Sequence, residues 1–168
     1  VDVARGGADL TVVAHRLGPV VREMLEWRIG DTTKIAVRVR RRMAHQTDLA
    51  VVDSIGVGAG VVDLLRKWDL SIIGFNAARK SARRDRSGDF GFKNQRAAMW
   101  WRMRESLDPS LEPTLALPPS EELAAELSAP HWRLIGDKIL VESKDDIRAR
   151  LGRSTDRADA VCQTLLTD

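Results

Sequence analysis

The 168-residue sequence has few of the features that would place it outside a cell or in a membrane. It contains one cysteine, Cys162, so an internal disulfide is excluded and a reducing compartment is favoured. No apolar run reaches the roughly 18 to 20 residues of a membrane span, and no charged segment followed by an apolar one opens the chain. We therefore expect a soluble protein of the cytoplasm with no membrane partner.

Internal repeats and low-complexity segments are also absent from the sequence. The length suits one domain, residues 1–168, with a single core. The chain opens directly on Val1–Ala4, an apolar run typical of a core strand, without an initiator Met. We expect it to be a fragment of a longer polypeptide.

The charges are nearly balanced, 27 Lys plus Arg against 24 Asp plus Glu, but they are unevenly placed. Nine basic and two acidic residues lie between Arg79 and Arg104, which favours contact with phosphates. The basic loop, residues 79–86, is either a solvated excursion or a contact for the DNA backbone. Its candidate DNA-binding residues are Arg79, Lys80, Arg83, Arg84 and Arg86.

The hydrophobic pattern predicts an α/β fold with a mixed sheet flanked by helices. Three extended runs at the start predict an antiparallel three-stranded meander. Alternating helices and apolar strands then predict parallel pairing, and a Gly-Asp turn predicts an additional C-terminal β-hairpin. The predicted strands are residues 1–4, 10–16, 20–27, 49–53, 70–75, 131–135 and 138–141; the predicted helices are residues 34–46, 58–68, 93–107, 121–128, 144–152 and 155–166, the last capped by Ser154.

The segment 49–65 is the most informative part of the chain, because an apolar strand there ends on Asp53 and turns through three glycines into a helix. The carboxyl end of a core strand is where open α/β sheets place reacting groups. The glycines Gly56, Gly58 and Gly60 follow a GxGxG spacing rather than GxGxxG. A tight turn beside Asp53 is therefore favoured over a dinucleotide site.

Further carboxylates accompany Asp53. Asp2 lies inside an apolar run, where an unpaired charge is costly to bury, and Asp156 and Asp159 share one face of the closing helix. Each would raise the others' pKa unless a cation joined them, and oxygen ligands suit a hard ion such as Mg²⁺ or Mn²⁺. Taken singly, an aspartate at a strand end is more often a turn former, and Asp156 could serve the helix dipole instead.

Four segments together resemble the nuclease domain of tailed-bacteriophage terminase large subunits. They come in the family's order and span essentially the whole chain. They are VDVARGGAD at 1–9, VDSIGVGAGVVD at 52–63, FKNQRAAMWW at 92–101, and ESK at 142–144 with GRSTDRADA at 152–160.

This resemblance implies an RNase H-like fold, shared with Holliday-junction resolvases, and a site for two Mg²⁺ or Mn²⁺ ions. It implies cleavage of concatemeric double-stranded viral DNA during packaging, with little sequence specificity. Asp2 and Asp53 match the first and second metal ligands. Asp159 and Asp156 both match acids of the final helix, and spacing alone does not separate their catalytic and metal-binding roles.

The resemblance also implies partners, and the sequence departs from the family at two points. In a full protein it implies a packaging ATPase domain, a portal and a small terminase subunit, in the cytoplasm of an infected bacterial host. No GxxxxGK[ST] phosphate loop occurs, so these residues lack that ATPase and any translocation activity. Thr155 stands where the family usually has Pro.

Basic residues flank the last motif. Lys144 and Arg153 are candidates for contacting the DNA phosphate, with helix capping and surface roles as alternatives. Trp100 and Trp101 are interpreted as packing residues, and His131 and Cys162 as structural.

The leading hypothesis is a metal-dependent DNA endonuclease. One alternative is a module that docks DNA or the portal and cleaves only weakly in isolation. Another is a resolvase-like nuclease that prefers four-way junctions.

Overall fold

The computed structural model describes residues 1–4, 6–7, 9–112 and 114–167 of the chain. Most of the predicted elements are present, with ends that shift by a few residues. The strands are β1 (Thr11–Leu17), β2 (Val20–Trp27), β3 (Ala50–Asp53), β4 (Ile72–Phe75), β5 (Gly91–Phe92), β6 (Trp132–Ile135) and β7 (Lys138–Val141). The helices are α1 (Thr32–Arg42), α2 (Val57–Lys67), α3 (Gln95–Leu107), α4 (Glu121–Leu127), α5 (Lys144–Leu151) and α6 (Asp156–Gln163).

The strands pair in both directions, as predicted. β1 and β2 are antiparallel, and β3 and β4 are parallel. The first residues of the chain lie between these two pairs, because Asp2 exchanges two backbone hydrogen bonds of 2.9 Å with Val12 and the Asp53 amide donates to the Val1 carbonyl at 3.0 Å. Asp2 and Asp53 are thereby placed on neighbouring backbone segments.

The prediction of a full first strand was wrong, since its pairing with β1 is confined to Asp2. The Ala4 amide donates to the Thr11 hydroxyl at 3.1 Å instead of to a backbone carbonyl. Gly6 and Gly7 then have positive φ angles of 88° and 79° and turn the chain away. Arg5 and Ala8, in the quoted segment 1–9, lie outside the described residues.

One further prediction needed correction, and one strand was not predicted. The last helix begins at Asp156, and Ser154 does not cap it, because the Ser154 hydroxyl donates to the carboxylate of Asp156. The hairpin β6–β7 is confirmed, but β7 also pairs in parallel with β5, a two-residue strand that was not predicted. A strand this short leaves no alternating pattern in the sequence.

Two clusters of buried side chains form the core. One lies between α1, α2 and β3, and the other joins α3, α4, α6 and β7. Trp100, Trp101 and Cys162 are buried in the second cluster, as their structural interpretation predicted. None of the helices in the described part of the chain is long and apolar enough to cross a membrane.

Candidate active site

The turn after β3 positions Asp53 by close backbone packing. A Cβ added to Gly58 would lie 1.8 Å from the Asp53 carbonyl oxygen, so only glycine lets the start of α2 approach the strand this closely. The Asp53 carboxylate accepts a hydrogen bond from the Ile55 amide at 2.9 Å. The tight turn expected from the glycines is therefore confirmed at Gly58.

Asp156 is held on both of its carboxylate oxygens. Its Oδ2 accepts from the Leu10 amide at 2.8 Å, and its Oδ1 accepts from the Ser154 hydroxyl. The side chain is 7% exposed. Asp156 therefore does more than interact with the helix dipole, because it also makes a tertiary hydrogen bond to Leu10 and a local one to Ser154.

Asp159 is held still more tightly. Its Oδ1 accepts from Arg96 Nη1 and from Trp100 Nε1, the latter at 3.0 Å. Its Oδ2 accepts from the Thr155 hydroxyl at 2.9 Å. Trp100, interpreted as a packing residue, thus also orients an acid of the site.

A partly buried ion pair fixes the start of α6 from the other side. Glu126 of α4 accepts from the Ala158 amide at 3.0 Å and from Arg157 Nη1 at 2.9 Å. The Thr155 hydroxyl is engaged with Asp159, so Glu126 supplies the bond that an N-cap side chain would ordinarily make. Arg157 also pairs with Glu26 of β2. This brace holds the helix segment that carries both acids.

Lys144, the first residue of α5, lies among the carboxylates. Its ammonium nitrogen is 2.8 Å from Asp2 Oδ2, 2.9 Å from Asp156 Oδ1 and 3.6 Å from Asp159 Oδ2. The sequence placed Lys144 at the DNA phosphate or at a helix cap. In the structure its charge instead offsets the repulsion between three acids.

The pKa values of the site follow from burial and from Lys144. Burial raises the pKa of Asp2 to about 7 even though Lys144 opposes the shift, and burial also raises the pKa of Asp53. The pKa of Asp156 is lowered, because Lys144 and the bonds to its oxygens outweigh burial. Burial disfavours the Lys144 charge, but the three carboxylates raise the pKa of its ammonium.

The donor set suits a hard divalent cation, since the charged groups around Lys144 are all carboxylate oxygens. As the side chains stand, no group of three acidic, histidine or cysteine residues in the described chain could hold a metal ion. The oxygens converge instead on the ammonium. The Lys144 side chain is 30% exposed, and the carboxylates that pair with it would be available to a metal only if its ammonium moved away.

The predicted DNA-binding residues other than Lys144 differ in their contacts. Arg83, Arg84 and Arg86 donate to the backbone carbonyls of Leu166, of Gly88 and Asp89, and of Leu111, respectively, and so anchor the basic loop. The Arg79 carbonyl accepts from the backbone amide of Gln95, the residue before Arg96, and Arg79 and Lys80 have exposed side chains. Arg153 is exposed in the turn between α5 and α6.

Sequence reasoning missed three groups that hold the acids: Arg96, the indole of Trp100, and Glu126. Their partners are 63, 59 and 32 residues away in sequence. One signal was available, because Arg96 and Trp100 both lie in the quoted segment 92–101.

No family profile and no curated protein sequence matches this chain. Among solved structures, it is similar to the nuclease domain of the large terminase subunit gp2 of bacterial virus Sf6, with a TM-score of 0.79 and 21% identity over 96% of this chain and 85% of that chain. A lysine-to-alanine variant of that domain with manganese and β-thujaplicinol gives the same values. The same variant with calcium has a TM-score of 0.75 and 22% identity, again over 96% of this chain and 85% of that chain. The chain therefore has the RNase H-like fold of these nuclease domains.

Proposed function

We propose that this chain is a divalent-metal-dependent DNA endonuclease domain of the terminase kind. The observation that carries the proposal is the gathering of Asp2, Asp156 and Asp159 around one cationic position, with Asp53 on the adjacent backbone segment. Buried like charges of this number are stable only with a cation. Three carboxylates with purely structural roles would not need to converge on one position.

The residues have distinct roles in this proposal. Asp2 and Asp53 would hold the ions from neighbouring backbone segments, while Asp156 and Asp159 would hold them from α6 in orientations fixed by their hydrogen bonds. Two bound Mg²⁺ or Mn²⁺ ions would activate the attacking water and stabilise the leaving oxygen. Bound ions would replace Lys144 at the acids, and its positive charge would then be available to the substrate phosphate. Hydrolysis leaves a 5′-phosphate and a 3′-hydroxyl.

The proposed substrate is concatemeric double-stranded viral DNA, cut during packaging with little sequence specificity. The likeness to terminase nuclease domains supports this setting. It also supports action beside a packaging ATPase domain, a portal and a small subunit in the cytoplasm of an infected bacterium. The exposed side chains of Arg79 and Lys80 are the best candidates for contact with the DNA backbone, because the arginines that follow already donate to backbone carbonyls of the chain.

Nicking of supercoiled plasmid in Mn²⁺ tests the proposal. We expect the wild-type chain to nick, EDTA to abolish nicking, and Asp53→Asn to reduce it by about 10³-fold or more, because one ligand of the site is lost. Asp63→Asn is the matched control, since Asp63 is exposed on α2. An inactive wild type, or equal nicking by the Asp53 variant and the control, would contradict the proposal.

One observation favours a second candidate function. With Lys144 among the acids, the described residues have no ready-made metal site, as expected of a module that docks DNA or the portal and cleaves weakly alone. Such a module predicts that DNA stays bound in EDTA after loss of Asp53. A resolvase-like enzyme would instead cut a four-way junction faster than linear duplex, so both substrates belong in the assay.

A further inference from the structure

Two hydroxyl side chains, those of Ser154 and Thr155, lie immediately before α6. A serine or threonine in this place ordinarily caps the helix by accepting a hydrogen bond from one of its first amides. The N-cap residue Thr155 makes no such bond with its side chain, because the Ala158 amide donates to Glu126 instead. The Ser154 hydroxyl donates to a carboxylate rather than capping. Both hydroxyls therefore have a role other than starting the helix.

The Thr155 hydroxyl donates to the oxygen of Asp159 that faces the cationic position. Oδ1 of Asp159 already accepts from Arg96 Nη1 and from Trp100 Nε1, which together occupy both of its lone pairs. Oδ2 accepts from the Thr155 hydroxyl at 2.9 Å and lies 3.6 Å from the Lys144 ammonium. Oδ2 is therefore the oxygen of this acid that could exchange the ammonium for a metal ion.

The Ser154 hydroxyl stands in the same relation to Asp156. It donates to Oδ1, the oxygen that lies 2.9 Å from the Lys144 ammonium. Oδ2 of Asp156 instead accepts from the Leu10 amide at 2.8 Å. Each acid of α6 thus presents one oxygen to the cationic position, and a hydroxyl of the two residues before the helix donates to that same oxygen.

Burial makes these hydroxyl contacts restrictive. Thr155 is 1% exposed and Asp159 is 3% exposed, so water has little access to take the place of the threonine hydroxyl. A β-branched side chain such as that of threonine is also confined to few rotamers. A donor held in this way occupies one lone pair of the carboxylate oxygen and leaves the other in a fixed direction. The arrangement is that of an outer partner which orients a metal ligand.

We propose that Ser154 and Thr155 are positioning residues for the metal site, and that they hold Asp156 Oδ1 and Asp159 Oδ2 as the ligand oxygens of α6. The inference rests on the proposed nuclease function and adds to it the residues that aim the helix acids. The hydroxyls act on the ions only through the two carboxylates. Outer partners of this kind typically change metal affinity or activity by about 10- to 100-fold.

Isothermal titration with Mn²⁺ in the absence of DNA tests this role without cleavage. Thr155→Val keeps the shape of the side chain and removes its hydroxyl, and we expect it to bind Mn²⁺ about 10- to 100-fold more weakly than the wild type. Thr155→Ser keeps the hydroxyl and should restore the affinity to within about 3-fold. Ser154→Ala should weaken binding by about 10-fold. Ser154 is partly exposed and precedes the helix, so this variant decides the question if Thr155→Val fails to fold.

Thr164→Val is the matched control, because it makes the same chemical change at the other end of α6. The Thr164 hydroxyl donates to the Val161 carbonyl at 2.7 Å rather than to an acid. We expect this variant to change the affinity for Mn²⁺ by less than about 2-fold. Urea unfolding of each metal-free variant verifies that the titrated protein is folded.

Two outcomes would overturn the inference. One is an affinity for Mn²⁺ in Thr155→Val or Ser154→Ala that matches the Thr164 control. The other is an equal loss in Thr155→Ser and Thr155→Val, because packing and not the hydroxyl would then be responsible. Either result, together with Mn²⁺-dependent nicking by the wild type, leaves the nuclease proposal intact. A wild type that neither binds Mn²⁺ nor nicks plasmid refutes the nuclease proposal and the inference together.

Discussion

The two halves of the acidic cluster are stabilised differently. On α6, Asp156 and Asp159 each accept hydrogen bonds on both oxygens, and the pKa of Asp156 is lowered. On the strand side, Asp2 is bonded to Lys144 and Asp53 to one backbone amide, and burial raises the pKa of both. The helix side is therefore preorganised by the protein, whereas the strand side gains most from a bound cation.

The strand side should be the easier half to displace through the backbone. Gly58→Ala places a Cβ 1.8 Å from the Asp53 carbonyl oxygen, so either β3 or α2 must move. We expect plasmid nicking to fall by about 10²-fold or more, because displacement of a reacting group by about 1 Å has that effect.

Gly60→Ala on the same helix is the control for this prediction. Its Cβ would meet the Thr32 side chain at 3.6 Å, which is ordinary contact. Equal nicking by the two variants would mean that the position of Asp53 does not depend on the packing at Gly58.

Lys144 joins the two halves, so its removal should expose the difference between them. Lys144→Ala leaves Asp2 buried without its ion-pair partner, and loss of one partner of a buried pair costs about 3–5 kcal/mol. We expect urea unfolding of the metal-free variant to show this loss and Mn²⁺ to recover most of it. Lys67→Ala, at the exposed end of α2, should change neither the stability of the metal-free protein nor its response to Mn²⁺. An unaltered unfolding midpoint in the Lys144 variant would contradict the arrangement.

Asp2 should make the metal-free protein sensitive to pH. Its folded-state pKa of about 7 exceeds the usual value, so the folded state binds the proton more tightly. The stability that this proton contributes is present below about pH 4 and lost as the pH rises to about 7. In metal-free buffer, the free energy of unfolding of Asp2→Asn should therefore rise relative to that of the wild type, by on the order of 2 to 4 kcal/mol as the pH increases from about 4 to about 7. If the difference in unfolding free energy between Asp2→Asn and the wild type did not change with pH, the raised pKa of Asp2 would be contradicted.

The helix side should respond most weakly, because several bonds share its support. Glu126→Gln removes the charge opposite Arg157 and keeps one acceptor for the Ala158 amide. We expect about 1–3 kcal/mol of destabilisation in urea unfolding, with a parallel fall in nicking. Glu121→Gln on the exposed face of α4 should have little effect. If both variants unfold alike, Glu126 does not brace α6.

The acids and most helices were predictable because local rules govern them. Asp53 ends an apolar run, and Asp156 and Asp159 are one helical turn apart, so each could be placed from its own segment. Asp31 and Ser143 cap α1 and α5 by the same kind of local rule, since each side chain accepts from an amide of the first turn. These features need no knowledge of what lies across the fold.

The contacts that control the acids could not be predicted, because they join distant segments. Lys144 meets Asp2 across 142 residues, and Arg96 meets Asp159 across 63. The first strand was overpredicted for a similar reason, since Thr11 takes a hydrogen bond that the sequence assigns to the backbone ladder. Tertiary partners of this kind leave no periodic signal in a single sequence.

Isothermal titration with Mn²⁺ tests the central claim that the strand carboxylates need a metal. We predict that the wild-type chain binds two ions and that Asp53→Asn binds fewer ions or binds them at least about 10-fold more weakly. Asp63→Asn should match the wild type. The account would be contradicted if the Asp53 variant bound the same number of ions with the same affinity, because Asp53 would then not be a ligand.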